Sequence, residues 1–219
     1  MAYRVKDSIF KKEGINMNLP NKITTFRMGC VLVIAFLLLF PWANMGINVP
    51  VLFNGVDLVY LITFVLFLVA SFSDFLDGHI ARKYNMVTNY GKFMDPIADK
   101  LLVNSLFIIL MVSGPFRIPA WITVIMIARD LIVDAIRLLA AEQNKVLAAS
   151  FWGKLKTVLQ MVALSFVLLN GFPLSFISPL AGNIFCLVLC SLAAFTSLMS
   201  GIMYLVKNIS VFQDQKKEE

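Results

Sequence analysis

Polar residues are scarce in this sequence, and that scarcity excludes a good deal. Only 15% of the 219 residues are charged and 59% are apolar, against roughly 45–50% apolar in an ordinary soluble domain. A soluble chain of this composition lacks the polar surface to cover its core, so the bilayer is the expected solvent. Cysteine is rare too. Cys30, Cys186 and Cys190 all lie inside apolar runs, which speaks against a disulfide framework or a zinc site and makes them small buried side chains. There is a single histidine, His79. Repeats and low-complexity tracts are missing, and no segment is long and polar enough for a second domain. No short apolar core with a small-residue cleavage site precedes the first long run, so the first spanning helix is expected to direct insertion.

What is present is a series of apolar runs at 23–42, 56–72, 93–112, 118–141, 151–169 and 181–206. Each is about the 20 residues that a spanning helix needs. The expected fold is therefore all-α and integral to the membrane, with six transmembrane helices. The cations divide by connection. The stretches 43–56 and 170–183 have no Lys or Arg and 113–119 has only Arg117, whereas Arg82, Lys83, Lys92, Lys100, Lys145, Lys154, Lys156 and Lys207 fall on the other side. By the positive-inside rule both termini are expected in the cytoplasm. Residues 1–22 form a basic juxtamembrane arm, 23–206 the six-helix domain and 207–219 a charged tail. In the arm, Tyr3, Ile9 and Phe10 alternate with lysines; a surface helix on anionic lipid and a solvated tail both fit. Trp42 and Trp121 read as interface anchors.

The informative stretch is 73–100, SDFLDGHIARKYNMVTNYGKFMDPIADK. Asp74 and Asp77 are three apart near the cytoplasmic end of the second helix, and Asp95 and Asp99 are four apart near that of the third. Each pair shares one helix face, and a short connection makes the helices antiparallel neighbours, so four carboxylates converge. Such a cluster resists desolvation and repels itself unless protons or cations neutralise it. Hard oxygen ligands of this charge select magnesium, manganese or calcium, and a pair of metals would fit bridging carboxylates. Gly78, Ala81 and Gly91 leave bare helix surface for close approach. Arg82, with its forked guanidinium, is placed for a phosphate. Two classes remain open on the residues alone: a metal-dependent enzyme and a divalent-cation transporter, although a transporter favours acidic ligands near mid-membrane on broken helices.

The pattern Asp74-x2-Asp77-Gly78-x2-Ala81-Arg82-x8-Gly91-x3-Asp95-x3-Asp99 resembles the signature of the CDP-alcohol phosphotransferases. The resemblance implies displacement of CMP from a CDP-linked lipid by an acceptor hydroxyl. It implies two divalent cations, Mg2+ or Mn2+, on Asp74, Asp77, Asp95 and Asp99, with Asp99 also the general base. Gly78, Ala81, Arg82 and Gly91 would bind the nucleotide. It further implies lipid and small-molecule partners rather than nucleic acid, a homodimer, and a plasma-membrane enzyme whose active site faces the cytoplasm.

Cations outside that stretch bear on the acceptor. Asn21, Thr24 and Arg27 form a stripe at three-residue spacing. Arg129 and Arg137 lie within an apolar run, where a charge needs a partner, and Asp130 and Asp134 are at hand. Lys154 and Lys156 open the fifth helix, with Gln160 a turn on. A phosphate-bearing acceptor needs such a set. The pattern NKITTFR, then ARD, then GKLKT resembles the branch of the family that joins CDP-diacylglycerol to sn-glycerol 3-phosphate, giving phosphatidylglycerophosphate and CMP. Thr24, Arg27, Arg129, Arg137, Lys154 and Lys156 would then bind the acceptor. Asp130 stands where that branch commonly has glutamate, and about sixteen residues precede the usual start. Sibling enzymes accepting phosphatidylglycerol or inositol phosphate are the alternatives with the same chemistry.

Overall fold

In lipid every backbone polar group must find its partner within the protein, which turns long apolar runs into helices. The computed structural model describes residues 18–53, 55–83, 88–143, 147 and 151–212; of 19, 75–83, 89, 92, 210 and 212 it describes the backbone. Six long helices dominate: α1 Leu19–Leu39, α2 Leu58–Lys83, α3 Asn89–Val112, α4 Ala120–Glu142, α5 Phe151–Leu168 and α6 Pro179–Lys207. Their order is the expected one, and the chain is an all-α membrane protein. By length and composition three stretches are apolar enough to cross a membrane, Pro20–Leu39, Phe151–Leu168 and Pro179–Lys207. The helices α3 and α4 are long enough too, at 24 and 23 residues, but ionisable side chains interrupt them.

Several boundaries differ from the sequence expectation, the clearest for one physical reason. The helix α2 runs on to Lys83, beyond the apolar run that ends at 72, and α1 begins at Leu19 rather than 23. Apolarity marks the depth of the bilayer, whereas a helix continues past it as long as nothing breaks it. The first connection also holds a small ribbon, β1 Val51–Phe53 antiparallel to β2 Val56–Asp57, closed by Gly55 at a φ of +74°, which the sequence reading does not anticipate.

Local signals fix the helix starts. The Thr88 hydroxyl caps α3 by accepting from Gly91 N–H at 3.0 Å, and Ser178 caps α6 by accepting from Ala181 N–H at 3.0 Å. Proline occupies the first turn of α1 and of α6. The core includes Ile34, Phe67, Leu106, Met126 and Leu164. Cys186 and Cys190 lie within it and Cys30 at its edge, all three as buried free thiols. Helix α1 packs against both α2 and α3, more than those two pack on each other, while α6 packs against α4 and α5. The short connection therefore does not by itself bring the carboxylates of α2 and α3 together; α1 lies against both.

Candidate active site

One face of α1 is polar and buried. Asn21, Thr24 and Arg27 are all enclosed, Arg27 with 0% exposure. A fully buried guanidinium requires partners. Arg27 Nη1 lies 2.7 Å from Asp74 Oδ1, and Arg27 Nε donates to the Ala70 carbonyl at 3.3 Å. One turn away, the Thr24 hydroxyl donates to Asp95 Oδ1 at 2.6 Å. Thr88 Oγ1 donates to Asn21 Oδ1 at 2.7 Å while accepting from Gly91 N–H. The stripe thus meets the start of α3 and the carboxylates of α2 and α3.

Asp74, Asp95 and Asp99 line one cleft of about 600 Å³, with Pro96, Ile97 and Leu138 supplying apolar wall and Lys100, Asp134 and Arg137 the rest. Gly91 borders the carboxylates: a Cβ there would lie 3.3 Å from Asn21 Oδ1 and 3.6 Å from Asp95 Oδ2, so a side chain would crowd the space beside Asp95. Among the described side chains no three metal-ligating groups lie close enough together to hold a metal ion, although carboxylate oxygens are the donor type that a hard divalent cation takes. Asp77, Gly78, Ala81 and Arg82 continue α2 towards Lys83, but their side chains, like that of His79, lie outside the described ones.

A second cavity, of about 240 Å³, opens on the other side of Asp99. It is lined by Asp99, Lys100, Val103, Arg129, Asp130, Arg137, Gly153, Lys154, Lys156, Thr157, Gln160 and Tyr204. Five cations face two carboxylates there. The buried Asp130 accepts from Arg129 at 3.1 Å and from Lys156. Arg129 Nη2 also donates to Ser200 Oγ at 2.6 Å, and Arg137 Nε donates to Tyr204 OH at 3.3 Å while its guanidinium carbon lies 5.6 Å from the centre of that ring. Gln160 Nε2 donates to Met126 Sδ at 3.1 Å. Asp99, Lys100 and Arg137 border both the carboxylate cleft and the cationic cavity.

The six residues expected at an acceptor separate into two groups. Arg129, Arg137, Lys154 and Lys156 share the cationic cavity, whereas Thr24 and Arg27 are turned to Asp95 and Asp74 on the carboxylate side. The anticipated partners are half as expected. Asp130 does meet Arg129, but Asp134 pairs with Lys100 across the seam between α3 and α4 and leaves Arg137 to Tyr204. The residues of α6 were missed. Ser200 and Tyr204 are buried, and at Gly201 a Cβ would lie 2.9 Å from Arg129 Cγ, so the arginine lies across bare helix. The available signal was a serine, a glycine and a tyrosine within about one turn of α6.

Comparison with known proteins accords with this geometry. Residues 17–206 match the family model described as CDP-alcohol phosphatidyltransferase. The CDP-diacylglycerol–glycerol-3-phosphate 3-phosphatidyltransferase of Bacillus subtilis is 37% identical, over 87% of this chain and 95% of its own. The protein of the same name from Rickettsia bellii is 37% identical over 87% of this chain and 94% of its own. That of Mycoplasma genitalium is 39% identical over 69% of this chain and 64% of its own.

Proposed function

Because the chain belongs to the CDP-alcohol phosphatidyltransferase family, we propose that it transfers the phosphatidyl group of CDP-diacylglycerol to sn-glycerol 3-phosphate, a step of phospholipid biosynthesis that releases CMP. The observation that carries this reading is the position of Asp99, on the border between a carboxylate cleft and a cationic cavity. The donor diphosphate belongs on the carboxylate side, beside the apolar wall of Ile97 and Leu138. The acceptor belongs on the cationic side.

Arg129, Arg137, Lys154 and Lys156 bind the acceptor's phosphate, with guanidinium forks suited to two-point contact. That holds the acceptor hydroxyl towards Asp99, and such positioning is itself a large part of catalysis. Asp99 takes the hydroxyl proton as the oxygen attacks the phosphatidyl phosphorus. A new P–O bond forms, the bond from that phosphorus to the oxygen of CMP breaks, and CMP leaves with the electron pair. Asp74, Asp77, Asp95 and Asp99 would hold divalent cations, Mg2+ or Mn2+, whose charge when bound neutralises the diphosphate. Gly78, Ala81, Arg82 and Gly91 serve the nucleotide.

The reading extends to placement. Six spans, both termini and the active site on the cytoplasmic side of the plasma membrane agree with the distribution of Lys and Arg. A basic arm at 1–22, a catalytic domain at 23–206 and a charged tail at 207–219 complete it, with a homodimer as the expected assembly. The size of the cavity favours a small acceptor: about 240 Å³ lies below the roughly 300–1,000 Å³ of pockets for drug-sized ligands, and a second lipid would need more.

The test is CMP release by the purified protein with CDP-diacylglycerol and magnesium, offering glycerol 3-phosphate, phosphatidylglycerol and inositol phosphate in turn. Release that requires glycerol 3-phosphate and is lost on chelation is the expected result. Release with another acceptor alone would keep the chemistry and replace the acceptor. No release with any acceptor, from protein that still binds metal, would favour a cation transporter.

A further inference from the structure

We infer that Thr24 is a positioning residue of the carboxylate cluster, orienting Asp95 for a divalent cation from the buried polar stripe of α1. The inference rests on the reading of Asp74, Asp77, Asp95 and Asp99 as cation ligands.

The geometry has three parts. First, the Thr24 hydroxyl has one proton and two acceptors nearby, Asp95 Oδ1 at 2.6 Å and the Pro20 carbonyl at 3.1 Å. The shorter contact, to an ionised group, is the stronger. It fixes one oxygen of Asp95 and leaves the other to a cation. Second, Thr24 is itself held, with 1% exposure in the middle of a stripe whose other members are also engaged with α2 and α3. Asn21 accepts from Thr88, which caps α3 seven residues before Asp95, and Arg27 lies 2.7 Å from Asp74 Oδ1. Third, α2 and α3 pack on α1 more than on each other, so α1 is the frame common to both sources of carboxylate. Without Thr24 the Asp95 carboxylate has a less determined rotamer, and a cation must order it on binding. Outer partners of this kind typically alter metal affinity or activity about 10–100-fold.

Thr24 separates this role from others better than Arg27 does. Removing Arg27 would take away a charge and strand Asp74 in the same step. Thr24→Val keeps the shape and deletes the donor, Thr24→Ser keeps the donor, and Thr24→Cys leaves a weaker one. The experiment is Mn2+ binding to the full-length protein in detergent, followed by electron paramagnetic resonance of the free ion, with thermal unfolding in EDTA measured in parallel. Thr24→Val should weaken Mn2+ about tenfold or more, Thr24→Ser should bind much as wild type, and Thr24→Cys should fall between, all with unfolding in EDTA little changed. Equal affinity in the serine, cysteine and valine variants would overturn the inference. A wild-type protein that takes up no Mn2+, or an Asp95→Asn variant that binds as tightly as wild type, would instead overturn the metal reading beneath it.

Discussion

The two walls that meet at Asp99 carry opposite charge and are assembled in different ways. The carboxylate wall takes Asp74, Asp95 and Asp99 from two helices that are consecutive in the chain, and α1 holds them from behind. The cationic wall takes Arg129 and Arg137 from α4, Lys154 and Lys156 from α5, and Tyr204 from α6. On the first wall like charges are gathered and oriented by a neutral hydroxyl and one buried arginine. On the second, cations are gathered around a single buried carboxylate, Asp130. A carboxylate cluster needs something that neutralises it, whereas a cationic cavity with a partner built into its floor folds without its anion. The cationic cavity is therefore the more self-sufficient of the two.

The largest effect should come where the walls join. Among the described residues Asp99 is the one carboxylate that borders both clefts, since Asp130 lines only the cavity and Asp134 only the cleft, and Asp99→Asn removes it. Loss of a general base costs about 10²–10⁴ in rate, so kcat for CMP release should fall by at least about a hundredfold. The KM for glycerol 3-phosphate should change far less. A variant that keeps most of its turnover would separate the walls and remove Asp99 from the chemistry.

How much of this was legible follows from the same contrast. The shared cleft of Asp74, Asp95 and Asp99 could be read because these residues lie within 74–99 at helical spacing. Arg129, Arg137, Lys154 and Lys156 could be selected as cations on one side of the membrane. Their convergence depends on how α4, α5 and α6 pack, which no local pattern encodes. The surroundings of Thr24 and Arg27 were out of reach for the same reason. Periodicity puts them on one face of α1, but only packing shows that the face is turned to Asp95 and Asp74. Ser200, Gly201 and Tyr204 carried no charge to draw notice and were hidden in an apolar run.

The cationic wall, as the proposed acceptor site, can be tested in two further steps. Lys156→Met deletes a buried cation and leaves Asp130 with Arg129 alone. Charge-assisted hydrogen bonds contribute about 1.5–3 kcal/mol, so the KM for glycerol 3-phosphate should rise roughly 10–150-fold. The KM for CDP-diacylglycerol should hold nearly constant, and equal rises in both would argue against two separate walls. Gly201→Ala acts without touching a charge. Its Cβ would lie 2.9 Å from Arg129 Cγ, forcing the arginine aside, and overpacking costs about 1–3 kcal/mol. Because the arginine is long and can shift, the lower end applies, and a rise of roughly fivefold in the acceptor KM is expected. An unchanged KM would mean that the place of Arg129 over α6 is unimportant to the acceptor.

Tyr204→Phe should have the smallest effect, and it sharpens the comparison most. Arg137 borders both clefts, and Tyr204 touches it in two ways, by a hydroxyl 3.3 Å from Nε and by a ring centred 5.6 Å from the guanidinium carbon. Phenylalanine keeps the ring and its attraction for the cation and deletes only the hydrogen bond, worth about 0.5–1.5 kcal/mol. A two- to tenfold effect is thus the expected range. What matters is the substrate on which it falls. If Arg137 serves the acceptor phosphate, the KM for glycerol 3-phosphate should rise while that for CDP-diacylglycerol holds. A rise confined to the lipid donor would assign Arg137 to the donor diphosphate instead, and would move the boundary between the walls from Arg137 to Arg129.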